Sequence, residues 1–289
     1  MTADIGSGPP PAPPSRFGSW RHELGEDGAK GALIAFVATL VFLGVGLFLV
    51  LNSEAWPKVQ QQFFNPENFR ESWPDVLGGF WLDIKMFVIA EVLILAFGLL
   101  VAIIRSLRGP AFFPLRLLSI IYIDLFRGIP ILLILFLLGF GVPALDLPGV
   151  PKDPLFWGVA SLVLSYAAYT AEVYRAGIDS VHESQRAAAR SLGLTQWQTL
   201  RFAIVPQAIR NVIPALLNGL VSLQKDVALV SVLGIREAVR EAEIYKSRTF
   251  NYTSFVAATV LFLLASVPLA RATDWYTRRE RAKRSQALV

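Results

Sequence analysis

The sequence predicts an all-α integral membrane protein with six transmembrane helices, and three observations carry that prediction. Apolar and aromatic residues fill 54% of the 289 positions and charged residues only 17%, a balance on the apolar side of soluble domains. Six apolar runs have lengths near the roughly 20 residues that a helix needs to cross the hydrocarbon core. The surplus of Lys and Arg sits beside these runs, most of it at alternate ends, which orients membrane helices.

In chain order, residues 1–30 contain the run Pro9-Pro10-Pro11-Ala12-Pro13-Pro14 and are expected to form an extended cytoplasmic tail, because such a stretch cannot pack a core. It lacks the short apolar region and small-residue cleavage site of a secretory signal. Residues 31–79 comprise a first span, 31–51, and an outward segment, 52–79, whose Trp56, Phe63, Phe64 and Trp73 suit the membrane interface. Residues 80–272 hold five more spans, at 80–104, 129–145, 155–174, 212–233 and 255–269. Residues 273–289 form a basic cytoplasmic tail.

Arg105, Arg108, Arg116 and Arg127 follow the second span, Arg175, Arg186, Arg190, Arg201 and Arg210 the fourth, and Arg278, Arg279, Arg281, Lys283 and Arg284 the sixth. The positive-inside rule makes these regions cytoplasmic, and with them both termini. Only the outward loop 234–253, with Arg236, Arg240, Lys246 and Arg248, runs against the trend. The net charge of +5 therefore reflects topology, not a nucleic-acid surface. With no cysteine, disulfides, thiolate metal sites and cysteine nucleophiles are excluded. No Gly-Lys dipeptide occurs, so the phosphate-binding pattern G-x-x-x-x-G-K-[ST] is absent and energy must come from another subunit. His22 lies in the tail and His182 in an inward loop, neither with the partners of a metal site or a proton relay.

The inward loop 176–213 differs from its surroundings. Residues 184–192 predict a short helix of Ala and Arg, Gly193 a left-handed stop, and Thr195 with Gln198 the capping box of a second helix. A DNA-reading helix-turn-helix is disfavoured, because both flanks run into membrane spans and leave no room for a third helix. The stretch Ser184-Gln185-Arg186-Ala187-Ala188-Ala189-Arg190-Ser191-Leu192-Gly193, continued to Ala203-Ile204-Val205-Pro206, instead resembles the coupling loop of ABC importer permeases. That signature reads E-A-A, three residues, G, nine residues, I-x-L-P. Ala187 stands where the family has Glu, Ala203 where it has Ile, and Val205 where it has Leu.

Three further segments place the resemblance within residues 78–270 and in the subfamily for polar amino acids. Tyr122-Ile123-Asp124-Leu125-Phe126-Arg127-Gly128-Ile129-Pro130 is similar to its Y-x-x-x-x-R-G-T-P. Tyr169-Thr170-Ala171-Glu172-Val173-Tyr174-Arg175-Ala176-Gly177-Ile178 is similar to A-Y-x-A-E-x-x-R-G-G-I, and Lys225-Asp226-Val227-Ala228-Leu229 to K-D-T-S-L. The resemblance implies a type I ABC importer permease fold with a cytoplasmic coupling loop, 183–206, that meets an ATPase through Ala188, Ala189, Arg190, Gly193 and Trp197. It implies no cofactor in this chain, ATP and Mg being bound by a pair of ATP-binding subunits. A second permease subunit, identical or paralogous, an extracytoplasmic amino-acid-binding protein and the plasma membrane of a prokaryote complete the implied setting.

The residues themselves suggest a path. Arg127 either binds lipid phosphate or braces the cytoplasmic end of the path, Glu172 and Arg175 sit three apart and should pair, and Gly177 permits close helix contact. Glu91 falls near the middle of the second span, and Gln224, Lys225 and Asp226 near the middle of the fifth. Charges there cost about 2.5–3.5 kcal/mol each, so they should face one another or a wet cavity. Either Glu91 and Lys225 neutralise each other, or a zwitterionic solute bridges them, its ammonium toward Glu91 or Asp226 and its carboxylate toward Lys225 or Gln224. Tyr166 and Thr170 would add hydroxyls. A cation in reserve suits an acidic or amide side chain, so glutamate, aspartate or glutamine is the expected solute. The rivals are an ABC permease for another small solute and an ion-coupled secondary transporter, which has no use for a coupling loop.

Overall fold

A computed structural model describes residues 28–107, 109–195 and 198–286, and the described residues form helices joined by turns. The expectations for the proline run, His22 and Trp197 lie outside the described residues. The chain divides into two units, residues 1–61 and 62–289. The first holds α1 (Gly28–Leu51), apolar around its whole circumference and long enough to span a membrane, and most of the short α2 (Trp56–Phe63).

In the second unit, α3 (Pro66–Ser106) starts well before the expected residue 80. The Asn65 side chain accepts hydrogen bonds from the backbone N–H groups of Glu67 (2.9 Å) and Asn68 (3.1 Å), and Pro66 opens the first turn, so the helix is firmly capped there. Its 41 residues extend about 60 Å, twice the hydrocarbon core, and with α2 it makes most of residues 52–79 helical.

The expected third span at 129–145 is corrected to a broken one. A helix α4 (Phe113–Gly128), where an inward loop was expected, meets a second one, α5 (Ile131–Phe136), at 107°. The second runs on through a π-helical turn, Leu137–Gly141, to Ala144. Pro130 is the cause: it keeps Ile129 extended (φ −97°, ψ 132°) and has no N–H to continue α4. Among the described residues, five helices are long and apolar enough to cross a membrane, or six if the bent pair counts as one span.

The helix α6 (Pro154–Asp179) is capped by Asp153. After α7 (Glu183–Ser191), the chain turns at Gly193 (φ +78°), where Leu194 N–H donates to the Ala189 carbonyl (3.2 Å) and Gly193 N–H to that of Arg190 (2.9 Å). This is the paired hydrogen-bond pattern of a left-handed helix stop. The capping box forms reciprocally: Thr195 N–H donates to Gln198 Oε1 (2.9 Å) and Gln198 N–H to Thr195 Oγ1 (3.3 Å). The helix that follows is not a separate short one, however. It passes through a π-helical turn, Thr199–Ile204, into α8 (Val205–Asp226), which tightens to a 3₁₀ segment, Val227–Leu233. Residues 234–253 contain α9 (Ala238–Thr249), and α10 (Thr253–Gln286) is the last span.

The helix α3 packs on α6, α9 and α10, and α6 also on α4 and α8. Met86, Ile94, Leu135, Leu162, Leu223 and Val230 form the buried centre. A Cβ at Gly177 would stand 2.0 Å from Val212 Cγ1, so only glycine lets α6 and α8 approach this closely.

Candidate functional site

Between α3, α4, α6 and α8 lies a cavity of about 650 Å³, within the range of small-molecule sites. Glu91 reaches it from α3, Tyr166 and Thr170 from α6, Asp226 from the end of α8, and Arg127 from the end of α4. The broken backbone Gly128-Ile129-Pro130 lines it too. Non-helical backbone at membrane depth is stable only where protein or water covers its polar groups, so the break and the cavity explain each other.

The Tyr166 hydroxyl donates to Asp226 Oδ2 at 2.6 Å and orients that carboxylate. The Arg127 guanidinium lies over the Tyr169 ring, 5.5 Å from its centroid, while the Tyr169 hydroxyl donates to the Arg127 carbonyl (3.2 Å). Glu91 is half-buried and makes no hydrogen bond or ion pair with the described residues. Five of the expected path residues thus share one wall. Three do not. Gln224 is buried and bonds Ser266 on α10, and Lys225 is exposed and absent from the wall. No ion pair joins Glu91 to Lys225 among the described residues, so the mutual neutralisation is corrected. Consecutive residues on a helix point about 100° apart, and of 224–226 only Asp226 has the phase of the cavity.

Glu172, the third, lies outside the cavity wall. It forms the expected pair with Arg175 (2.9 Å) and a second ion pair with Arg105, which ties the carboxyl end of α3 to α6. Arg175 also reaches Asp179 at 3.1 Å. In α7 Ala189 is buried, Ala188 exposed, and Arg190 reaches Glu183 at 3.4 Å on an exposed face. Leu192, beside Gly193, is 82% exposed.

Asp83 and Glu237 were not singled out from the sequence, although Asp83 lies inside an apolar run. Both are fully buried where α9 meets α3. Glu237 caps α9 by accepting from Val239 N–H (2.8 Å) and Arg240 N–H (2.7 Å), and Asp83 Oδ2 accepts from Ala238 N–H (3.2 Å). Asp83 Oδ1 makes no hydrogen bond among the described residues. Burial pushes the Glu237 carboxyl up to about 7, against the lowering effect of its backbone donors.

A family model described as "Binding-protein-dependent transport system inner membrane component" matches residues 94–282. The chain belongs to this family. The permease is 32% identical over 208 residues to the probable amino-acid permease protein YxeN of Bacillus subtilis, covering 72% of this chain and 92% of the relative. It is 32% identical to the arginine transport system permease protein ArtQ of the same organism, over 67% and 87% of the two chains. It is 35% identical to the putative glutamine transport system permease protein GlnP of Rickettsia felis, over 65% and 85%. A solved amino acid ABC transporter with histidines shares 31% identity and superposes with a TM-score of 0.65, covering 71% of this chain and 94% of that one. The MetNI methionine transporter, at 19% identity and a TM-score of 0.58, shares the fold. The permease is a multi-pass membrane translocation subunit, and ATP hydrolysis in this family belongs to a separate subunit.

Proposed function

We propose that the permease carries a polar amino acid across the plasma membrane of a prokaryote and holds it in transit in the cavity between α3, α4, α6 and α8. The observation that carries this reading is the convergence of Glu91, Arg127, Tyr166, Thr170 and Asp226 on one cavity wall. An amino acid needs an anion for its ammonium and a cation for its carboxylate, and that wall supplies both. The relatives that transport arginine and glutamine support the solute class. Glutamate, aspartate and glutamine drew their case from Lys225, which stands outside the wall.

A pair of ATP-binding subunits docks on α7 and the Gly193 turn, where Ala188, Arg190 and Leu192 are exposed. A second permease subunit and an extracytoplasmic binding protein complete the importer, with both termini in the cytoplasm and Lys and Arg of the inner loops and tail against lipid. The test is to purify the chain from membranes, identify its partners by mass and reconstitute the complex. Uptake of labelled amino acid should need ATP and the binding protein. Uptake driven by an ion gradient without ATP would contradict the reading and favour a secondary transporter.

A further inference from the structure

We infer that Asp83 and Glu237 hold one proton between them, and that this proton latches the start of α9 onto α3. The latch does not depend on what the cavity carries. Gly79 and Asp83, four residues apart, share one face of α3, and both are buried. A Cβ at Gly79 would stand 2.5 Å from the Glu237 carbonyl carbon, so the backbone entering α9 lies directly on α3 there. One turn further along, Asp83 takes the Ala238 N–H, while Glu237 takes those of Val239 and Arg240. Two carboxyl groups thus share the first three donors of α9.

That seat suits one negative charge and not two. A helix N-terminus favours a single anion, and both side chains are sealed from solvent, Asp83 at 1% and Glu237 at 0% exposure. The two carboxyls lie within hydrogen-bonding reach of each other. Two ionised carboxylates offer only acceptors, so they would repel and make no bond. Asp83 Oδ1 is the orphan of the seat: it is buried and makes no hydrogen bond among the described residues. With a proton on Oδ1, Asp83 donates to Glu237 and its Oδ2 keeps the Ala238 N–H.

The charges around the seat leave this to a proton. From α9, Glu241 faces Glu237 and pairs with the exposed Arg236 at 2.7 Å, with Asp75 of α3 near the same guanidinium. Arg240 turns its guanidinium to Glu243. Lys85 on α3 is exposed and lies over the Trp81 ring. The charges of α6, Glu172, Arg175 and Asp179, gather at the Arg105 end of α3. The 3₁₀ segment Val227–Leu233 and residues 253–270 of α10 contain no titratable side chain. The pair therefore titrates as a unit, and burial holds Glu237 up at about 7. As pH rises beyond that, the proton leaves to water, a second charge appears in the seat and the start of α9 loosens.

The test joins infrared spectroscopy to amide hydrogen exchange on the purified permease complex. Near neutral pH, wild type should show a protonated-carboxyl band, shifted by deuterium oxide, that Asp83→Asn lacks, since an amide donates to Glu237 without a titratable proton. Between about pH 6 and about pH 9, protection of the α9 amides, corrected for the intrinsic acceleration of exchange, should fall about tenfold in wild type and stay within about threefold in Asp83→Asn. Identical carboxyl bands in the two proteins overturn the inference. So does wild-type protection that ignores pH, or an Asp83→Asn complex that loosens as much as wild type. If Asp83→Asn does not assemble, wild type decides alone: the band and the α9 protection must fall together, and loss of one without the other overturns the inference.

Discussion

Gly193 stands at φ +78°, a backbone region that a β-branched side chain enters only with strain. Space is not the constraint, since nothing lies within 4 Å of a Cβ built there. Gly193→Val should cost roughly 1 kcal/mol or more locally and tilt α7, so that solute-stimulated ATP hydrolysis falls while the subunit still inserts and assembles. Comparing stimulated hydrolysis with the amount of assembled complex checks this, and full stimulation would mean that the turn does not set the docking angle. The turn was legible in the sequence because its signals are local: glycine for the left-handed residue, Thr and Gln three apart for the cap. The direction of Lys225 was not. Counting residues gives depth along a span but not helical phase, and one step along α8 separates the cavity-facing Asp226 from the exposed Lys225. The Arg105–Glu172 pair was hidden for a different reason, since it joins residues 67 positions apart.

At the scale of elements, the bent pair α4–α5 shows how apolar counting misleads. Arg116 and Arg127 made residues 105–128 read as an inward loop, yet 113–128 are helix, and Pro130 marks a break rather than a boundary with solvent. The junction of α9 with α3 carries a pH dependence. Glu237 is held at about 7 in the fold against an ordinary 4.5, so the folded state keeps its proton after the unfolded chain has lost it. The unfolded state then binds fewer protons, and stability falls as pH rises from about 4.5 to about 7. The unfolding midpoint of the purified complex should drop across that window, and in Glu237→Gln the drop should shrink, leaving a midpoint that varies less with pH. Equal pH profiles for the two proteins would show that another group is responsible.

At the scale of the whole molecule, the fold class, five of the spans and the left-handed turn at Gly193 could be read from apolar runs, the placement of Lys and Arg, and motif spacing. The cavity could not, because it is made by four helices whose relative rotation appears in no single segment. In the proposed function, a polar amino acid passes through that cavity while a partner ATPase drives the cycle from α7. The most direct measurement is ATP-dependent uptake of labelled amino acid by proteoliposomes holding the full importer, wild type beside Gly219→Trp, with basal ATP hydrolysis recorded in both. Gly219→Trp should assemble and hydrolyse ATP at the basal rate but transport little or nothing, because the indole fills the space the solute needs. Wild-type uptake by Gly219→Trp would contradict it and place the path elsewhere in the importer.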